Sequence, residues 1–128
     1  MAVTLKETTR NVAVNAVVDL LDVGTSNSTG DIAFCNSSNT VLCVNNLQNP
    51  AFGTAPNPGV GTATANLPIA QGTVSVAGTI DRALFRDRDN TEVFRCTVGT
   101  SGTDIVLSGV VVNINDTIDI TSLTYSQP

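Results

Sequence analysis

From residue 31 onward turn-forming residues cut the chain at short, regular intervals, and this punctuation restricts it to a fold of short strands. Strand candidates run over 31–36, 41–47, 61–66, 72–76, 80–86, 91–98, 104–107 and 109–114, with a last one reaching Tyr125. Each is shorter than the ~11 residues of a typical globular helix. Between them stand Ser37-Ser38-Asn39-Thr40, Asp87-Arg88-Asp89-Asn90, Gly99-Thr100-Ser101-Gly102 and Asn115-Asp116. Such residues bond their own backbone through short side chains or accept positive φ. About eight strands so spaced predict a mainly β, jelly-roll-like sandwich. The last strand alternates at Ile118 and Ile120 and resumes at Leu123 and Tyr125, so a β-bulge near Thr121 and Ser122 is expected to absorb the slip.

Composition agrees, because hydrophobic residues make up 41% and charged ones only 13%, with Thr, Ser and Asn supplying the remaining polarity. A chain of 128 residues suits one domain. Residues 1–128 are therefore read as a single unit, with a helix over 4–23 and the sandwich over 31–125.

The helix is the exception at the front. Thr4-Leu5-Lys6-Glu7 spells a capping box, Ala13, Val17, Leu20 and Leu21 fall at helical spacing, and Gly24 supplies the stop. Arg10, Asn11, Asn15, Asp19 and Asp22 occupy the opposite side, which makes the helix amphipathic with one face to bury against a sheet. The Thr-Ser-Asn-Gly stretch over 25–30 reads as a flexible connection.

Two regions are candidate protein interfaces. The stretch 49–61 holds Pro50, Pro56 and Pro58 with Gly53 and Gly59, which predicts a long surface loop anchored by Phe52. Long loops in compact domains are frequent contact sites, so Asn49, Pro50, Phe52, Pro56 and Pro58 form the first set. Arg82, Arg86, Arg88 and Arg95 cluster in one hairpin with Asp81, Asp87, Asp89 and Glu92. That mixture reads either as a salt-bridged surface or as a self-complementary patch for symmetric contact, with Arg82, Arg86 and Arg88 as the second set.

Catalytic and cofactor motifs fail one by one. The chain has no histidine, so a Ser or Cys nucleophile lacks its most common base, and no Gly-x-Ser-x-Gly turn is present. Asp87, Asp89 and Thr91 begin the spacing of a calcium loop, but Glu92 stands where it needs glycine and Val98 where it needs an acid. Neither Gly59-Val60-Gly61 nor the Gly99–Gly102 turn leads into the Lys and helix of a phosphate loop. The expectation is a non-enzyme with no cofactor, no metal and no small-molecule substrate. Cys35, Cys43 and Cys96 contain no Cys-x-x-Cys pair and read as reduced, buried thiols, although Cys35 and Cys43 across a hairpin leave a disulfide open.

The net charge of −5, with no run of bases to track phosphates, argues against nucleic acid as a partner. No apolar stretch approaches the ~20 residues of a membrane span, and residues 1–10 lack the basic-then-apolar order of a secretory signal. Synthesis in the cytoplasm without membrane contact is expected.

Several motifs together carry a resemblance: Arg10-Asn11 in the helix, Asn49-Pro50-Ala51-Phe52-Gly53, Asp87-Arg88-Asp89-Asn90-Thr91, Gly99-Thr100-Ser101-Gly102-Thr103-Asp104 and Thr121-Ser122-Leu123-Thr124-Tyr125. In this order, over nearly the whole chain, they resemble small virion structural proteins of tailed bacteriophages. Asn90 stands where that family usually has glycine, a tolerable exchange because Asn accepts positive φ. Arg82 stands where an aromatic is common. The resemblance implies a capsid cement or decoration protein on the capsid exterior, with the major capsid protein as partner and a homo-dimer or homo-trimer as its own state. Two other readings stand beside it. A tail, baseplate or head-tail adaptor component would share the composition, and a carbohydrate-binding receptor module would need a groove built from Phe34, Phe52, Phe85, Phe94 and Tyr125.

Overall fold

The structure, a computed structural model, describes residues 3–126. Its main sheet has five strands in the order β2 (Val41–Asn46), β1 (Asp31–Cys35), β6 (Arg82–Arg86), β7 (Glu92–Gly99) and β8 (Ile105–Val106). All neighbours are antiparallel except β7 and β8. Three two-stranded ribbons accompany the sheet: β3 (Thr62–Thr64) with β11 (Thr124–Ser126), β4 (Gly72–Thr73) with β10 (Thr117–Ile118), and β5 (Gly78–Thr79) with β9 (Val111–Val112). The chain is mainly β, as its punctuation predicts. It divides into eleven strands among the described residues, because several predicted strands pair over only two or three residues. The expected bulge near Thr121 is instead a change of partner. Thr117–Ile118 pairs with β4 and Thr124–Ser126 with β3, so the phase slip is a crossing between ribbons.

Two hairpins dominate the sheet, and they are copies of one design. In Asn36-Ser37-Ser38-Asn39-Thr40 the first side chain accepts the N–H groups of Ser38 and Thr40 at 2.9 and 3.0 Å. In Asp87-Arg88-Asp89-Asn90-Thr91 it accepts those of Asp89 and Thr91 at 2.9 and 3.0 Å. Asn39 and Asn90, fourth in each turn, both have φ of 63°, a conformation Asn adopts more readily than most side chains. The strand register slips at the same place in both: Phe34 opposes Cys43 but Cys35 opposes Val41, while Phe85 opposes Phe94 but Arg86 opposes Glu92. Each position thus maps onto the one 51 residues later, Phe34 onto Phe85 and Cys43 onto Phe94. Ala33 and Leu84, an equivalent pair, face each other across β1 and β6, so a local two-fold axis passes between them. The bulge also separates Cys35 from Cys43, which lie on opposite faces of the hairpin, and all three cysteines are free thiols.

β1 is buried along its whole length. Ile32 and Phe34 face the main core with Ala83 and Phe85, and the other face carries Asp31 opposite Arg86. Asn45 is a buried polar side chain satisfied across elements. Its Nδ2 donates to the Ala70 carbonyl at 3.2 Å and the Ile118 carbonyl at 2.9 Å, tying the sheet to the β4–β10 ribbon. Gly72 is required beside it, since a Cβ there would collide with Asn45 Oδ1 and Cys43 Sγ.

The helix α1 spans Glu7–Asp19 and continues as a 3₁₀ turn over Leu20–Asp22. Its N-cap is Lys6, with no side-chain bond, so the Thr4–Glu7 capping box is not made and the helix starts later than residue 4. Its buried stripe is Val14, Val18 and Leu21, whereas Ala13 and Val17 are half-buried and Leu20 is exposed. One residue of phase is about 100° of rotation. That rotation turns Asn11, Asn15 and Asp22 inward, where their oxygens accept the N–H groups of Gly61, Ala55 and Ala51 at 2.8, 2.8 and 2.9 Å. Some amides of the proline-rich loop bond β3, as Gly53 does to the Thr64 carbonyl and Asn57 to the Thr62 carbonyl, each at 2.9 Å, and the polar helix side supplies acceptors for Ala51, Ala55 and Gly61. Burial pushes the Asp22 carboxyl up, against the pull of the Ala51 amide.

The 25–30 connection is tied down rather than loose. Thr25 and Ser26 each donate an N–H to Asp89 Oδ1 at 2.9 Å, Asn27 donates to the Arg88 carbonyl at 2.9 Å, and Arg88 donates to the Val23 carbonyl at 2.9 Å.

Candidate functional site

The second hairpin places Phe85 opposite Phe94, and their rings stack at 4.5 Å with 16° between planes. Tyr125 on β11 lies 4.9 Å from Phe94, tilted by 44°. Phe52 joins them through its bridge to Ala65, next to β3. Together with Arg95, Cys96, Asp104, Ile105 and Leu123 these rings line a cleft of about 350 Å³ between the main sheet and the β3–β11 ribbon. The volume lies in the range of small binding clefts. The rings turn their faces on one another, so they make an apolar wall rather than the exposed platform on which a sugar would stack.

The polar groups at the cleft are engaged within the chain. Arg95 grips Glu92 through Nε and Nη2 at 2.8 and 2.6 Å, and this contact holds the Glu92 carboxyl below its ordinary value. The two share a face because the bulge at Val93 sets Glu92 opposite Arg86 and Arg95 opposite Leu84. Asp104 Oδ2 accepts the Thr97 N–H at 3.0 Å and its hydroxyl at 3.1 Å. Burial, with Asp104 adding to it, pushes the Cys96 thiol up to about 12, so it carries its proton at neutral pH.

The cleft opens beside a sheet edge. β7 pairs with β6 along its length, but with β8 only at Val98 and Gly99. Among the described residues no strand pairs with the outer edge of Glu92–Cys96.

Of the two candidate interface sets only Phe52 lies at this cleft, whereas Phe52, Phe85, Phe94 and Tyr125, four of the five aromatics considered for a groove, line it. Asn49, Pro50, Pro56 and Pro58 are exposed on the loop, but Phe52 is 4% exposed and anchors the loop to its own core, so its ring is not offered outward. Arg82 bonds Asp81 Oδ2 through Nε and Nη2 at 3.0 and 2.7 Å and Asn39 Oδ1 at 3.2 Å. Arg86 holds both oxygens of Asp31 at 2.7 and 3.0 Å, and Arg88 donates from Nε to the Asn27 carbonyl at 2.7 Å. Within the cluster Arg82 thus pairs with Asp81 and Arg95 with Glu92, while Arg86 pairs with Asp31 on the neighbouring strand. The Asp87 and Asp89 carboxylates bond backbone amides, and among the described residues no group of three or more His, Cys, Asp or Glu side chains is placed to hold a metal.

Compared with protein-family profiles, curated sequences and solved structures, the chain matches none. Its surface therefore carries the functional argument. Val12, Leu20 and Val23 are 68, 51 and 55% exposed around the helix, and Val106, Val111 and Ile114 are 59, 72 and 60% exposed on the segment from β8 past β9. No helix among the described residues is long and apolar enough to cross a membrane. The sequence named these rings as the material for a groove but not their gathering beside β7, although the turn pattern repeated 51 residues apart was available to reveal Phe85 as the counterpart of Phe34.

Proposed function

We propose that this chain is a non-enzymatic structural protein of a phage particle, a cement or decoration protein that binds the outer surface of the major capsid lattice and stabilises the head. The observation that carries this reading is the pair of exposed aliphatic groups on separate elements, Val12, Leu20 and Val23 on one side of the sequence and Val106, Val111 and Ile114 on the other. A protein that clamps neighbouring subunits needs more than one adhesive surface, and each aliphatic side chain buried contributes about 1.5–3 kcal/mol. The resemblance of the turn motifs to those of small virion proteins adds support, with Asn90 at a positive φ where that resemblance expects glycine.

On this reading the strands and ribbons form a jelly-roll-like sandwich, and the protein acts as a dimer or trimer without cofactor or nucleic acid. Each copy would bury on the order of 800 Å² per partner, and binding only the assembled shell stabilises that shell by mass action. Many copies then act together through multivalency. Capsids from a phage lacking the gene are expected to release DNA at lower temperature and under milder shear than the parent. Unchanged resistance would overturn the proposal. Copy number separates the tail, baseplate or adaptor reading: cement approaches the capsid protein in abundance on a stained gel, whereas a tail component is present in a few copies or a ring.

A further inference from the structure

We propose that the outer edge of β7, over Glu92–Cys96, accepts an added β-strand: an extended segment of a partner protein pairs there and sets an apolar side chain into the aromatic cleft. This goes beyond the capsid reading, since it names a mode of contact and holds for any protein partner.

The chain itself shows what such an edge takes. On the first hairpin the equivalent edge of β2 is covered by residues 70–75, which run antiparallel to it. Ala70 donates its N–H to the Asn46 carbonyl at 3.0 Å, and Ser75 donates to the Leu42 carbonyl at 2.9 Å. The covering segment alternates, burying Gly72 and Val74 and exposing Gln71, Thr73 and Ser75. The local two-fold relation maps Leu42 onto Val93 and Asn46 onto Thr97, yet beside the second hairpin no described strand occupies the corresponding place. The Asp104 carboxylate reaches it at the Thr97 N–H. That bond shows that Thr97 points its amide away from β6, and by the alternation of an antiparallel ladder Arg95 does the same.

The two edges differ in what lies inward. At the first, Cys43 and Asn45 press against Gly72, and no side chain fits. Their counterparts at the second are Phe94 and Cys96, which line the cleft of about 350 Å³. An added strand therefore carries a bulky aliphatic residue at its inward position, with polar residues such as threonine on either side. Glu92 and Arg95 follow the other face in register and bond each other there, although Arg95 also contributes to the cleft wall. A second copy of this chain is a poor occupant, because pairing β7 with β7 about Arg95 sets two guanidinium groups opposite each other.

The test uses the full chain labelled with ¹⁵N and titrated with a lysine-flanked peptide that alternates threonine and leucine. Saturable shifts are expected at the amides of Val93, Arg95 and Thr97 and at Tyr125. The same peptide N-methylated at every second residue, which leaves the protein untouched, is expected to bind at least tenfold more weakly in the methylation register that blocks the ladder. Arg95→Pro, which removes an outward N–H from an edge strand, is expected to weaken binding to a similar degree. Absence of saturable shifts, equal binding of both methylated registers and the parent peptide, or shifts confined to the β2 edge would overturn the proposal. Self-association that protects the Arg95 amide without peptide would give the edge to a second copy and overturn it as well. Capsids weakened by loss of the gene, together with a peptide that does not bind, would leave the capsid reading standing and remove this one.

Discussion

Asn15 holds Ala55: from the inward side of the helix its Oδ1 accepts the Ala55 N–H at 2.8 Å, between Asn11, which holds Gly61, and Asp22, which holds Ala51. The helix is thus a clamp on the proline-rich loop as well as a cover for the core. Asn15→Ala leaves the amide of a buried residue without its acceptor and is expected to cost about 1–3 kcal/mol. The check is the urea midpoint, with limited proteolysis expected to cut faster within residues 53–60. Asn15→Asp, which keeps an acceptor oxygen, should lose much less.

Asp31 and Arg86 form the most buried ion pair of the sheet, with side-chain exposures of 8 and 16%. Arg86→Met strands a carboxylate that is almost out of water, and a loss of about 3 kcal/mol is expected in denaturant unfolding. Replacing both, as Asp31→Val with Arg86→Met, is expected to recover most of that loss. A double variant as unstable as the single one would show that the pair stabilises by more than mutual neutralisation.

Asp89 links the second turn to the helix exit, and the N–H groups of Thr25 and Ser26 lead in holding its carboxyl below the ordinary 3.8. Because the folded value is the lower one, the contribution to stability is present above pH 3.8 and is lost as pH falls through the folded value. The amide shifts of Thr25 and Ser26 should therefore titrate together at a midpoint below pH 3.8. In Asp89→Asn that step should disappear.

Cys96 is the least buried of the three thiols, yet its pKa of about 12 keeps it protonated at pH 8. Burial raises the Cys35 and Cys43 thiols too. Native protein at pH 8 is expected to react with a thiol reagent far more slowly than urea-unfolded protein, which should release all three equivalents. Rapid modification of the native form would show that the β7 edge or the core opens readily.

Local chemistry made much of the fold legible. Asn36 and Asp87 announce their turns because a side chain that bonds amides two and four residues ahead needs only its own neighbours. The hairpins that follow, and the alternation of Ala83 and Phe85 against Arg82 and Arg86, are equally local. Helix phase was harder to read, since apolar residues lie on both sides of α1. Val14, Val18 and Leu21 became the buried set because their side of the helix also brings Asn11, Asn15 and Asp22 to amides 29 to 50 residues away.

The sequence by itself determined the mainly β character and the turns that join β1 to β2 and β6 to β7, because backbone preference and side-chain alternation act over a few residues. Tertiary structure alone decided the partners: that Ile118 and Tyr125 belong to different ribbons, that Asn45 bridges to Ala70 and Ile118, and that Phe52, Phe85, Phe94 and Tyr125 gather at one open edge. Those contacts join residues far apart in the chain, and they form because each satisfies a buried polar group or removes apolar surface from water, which is a property of the packed whole.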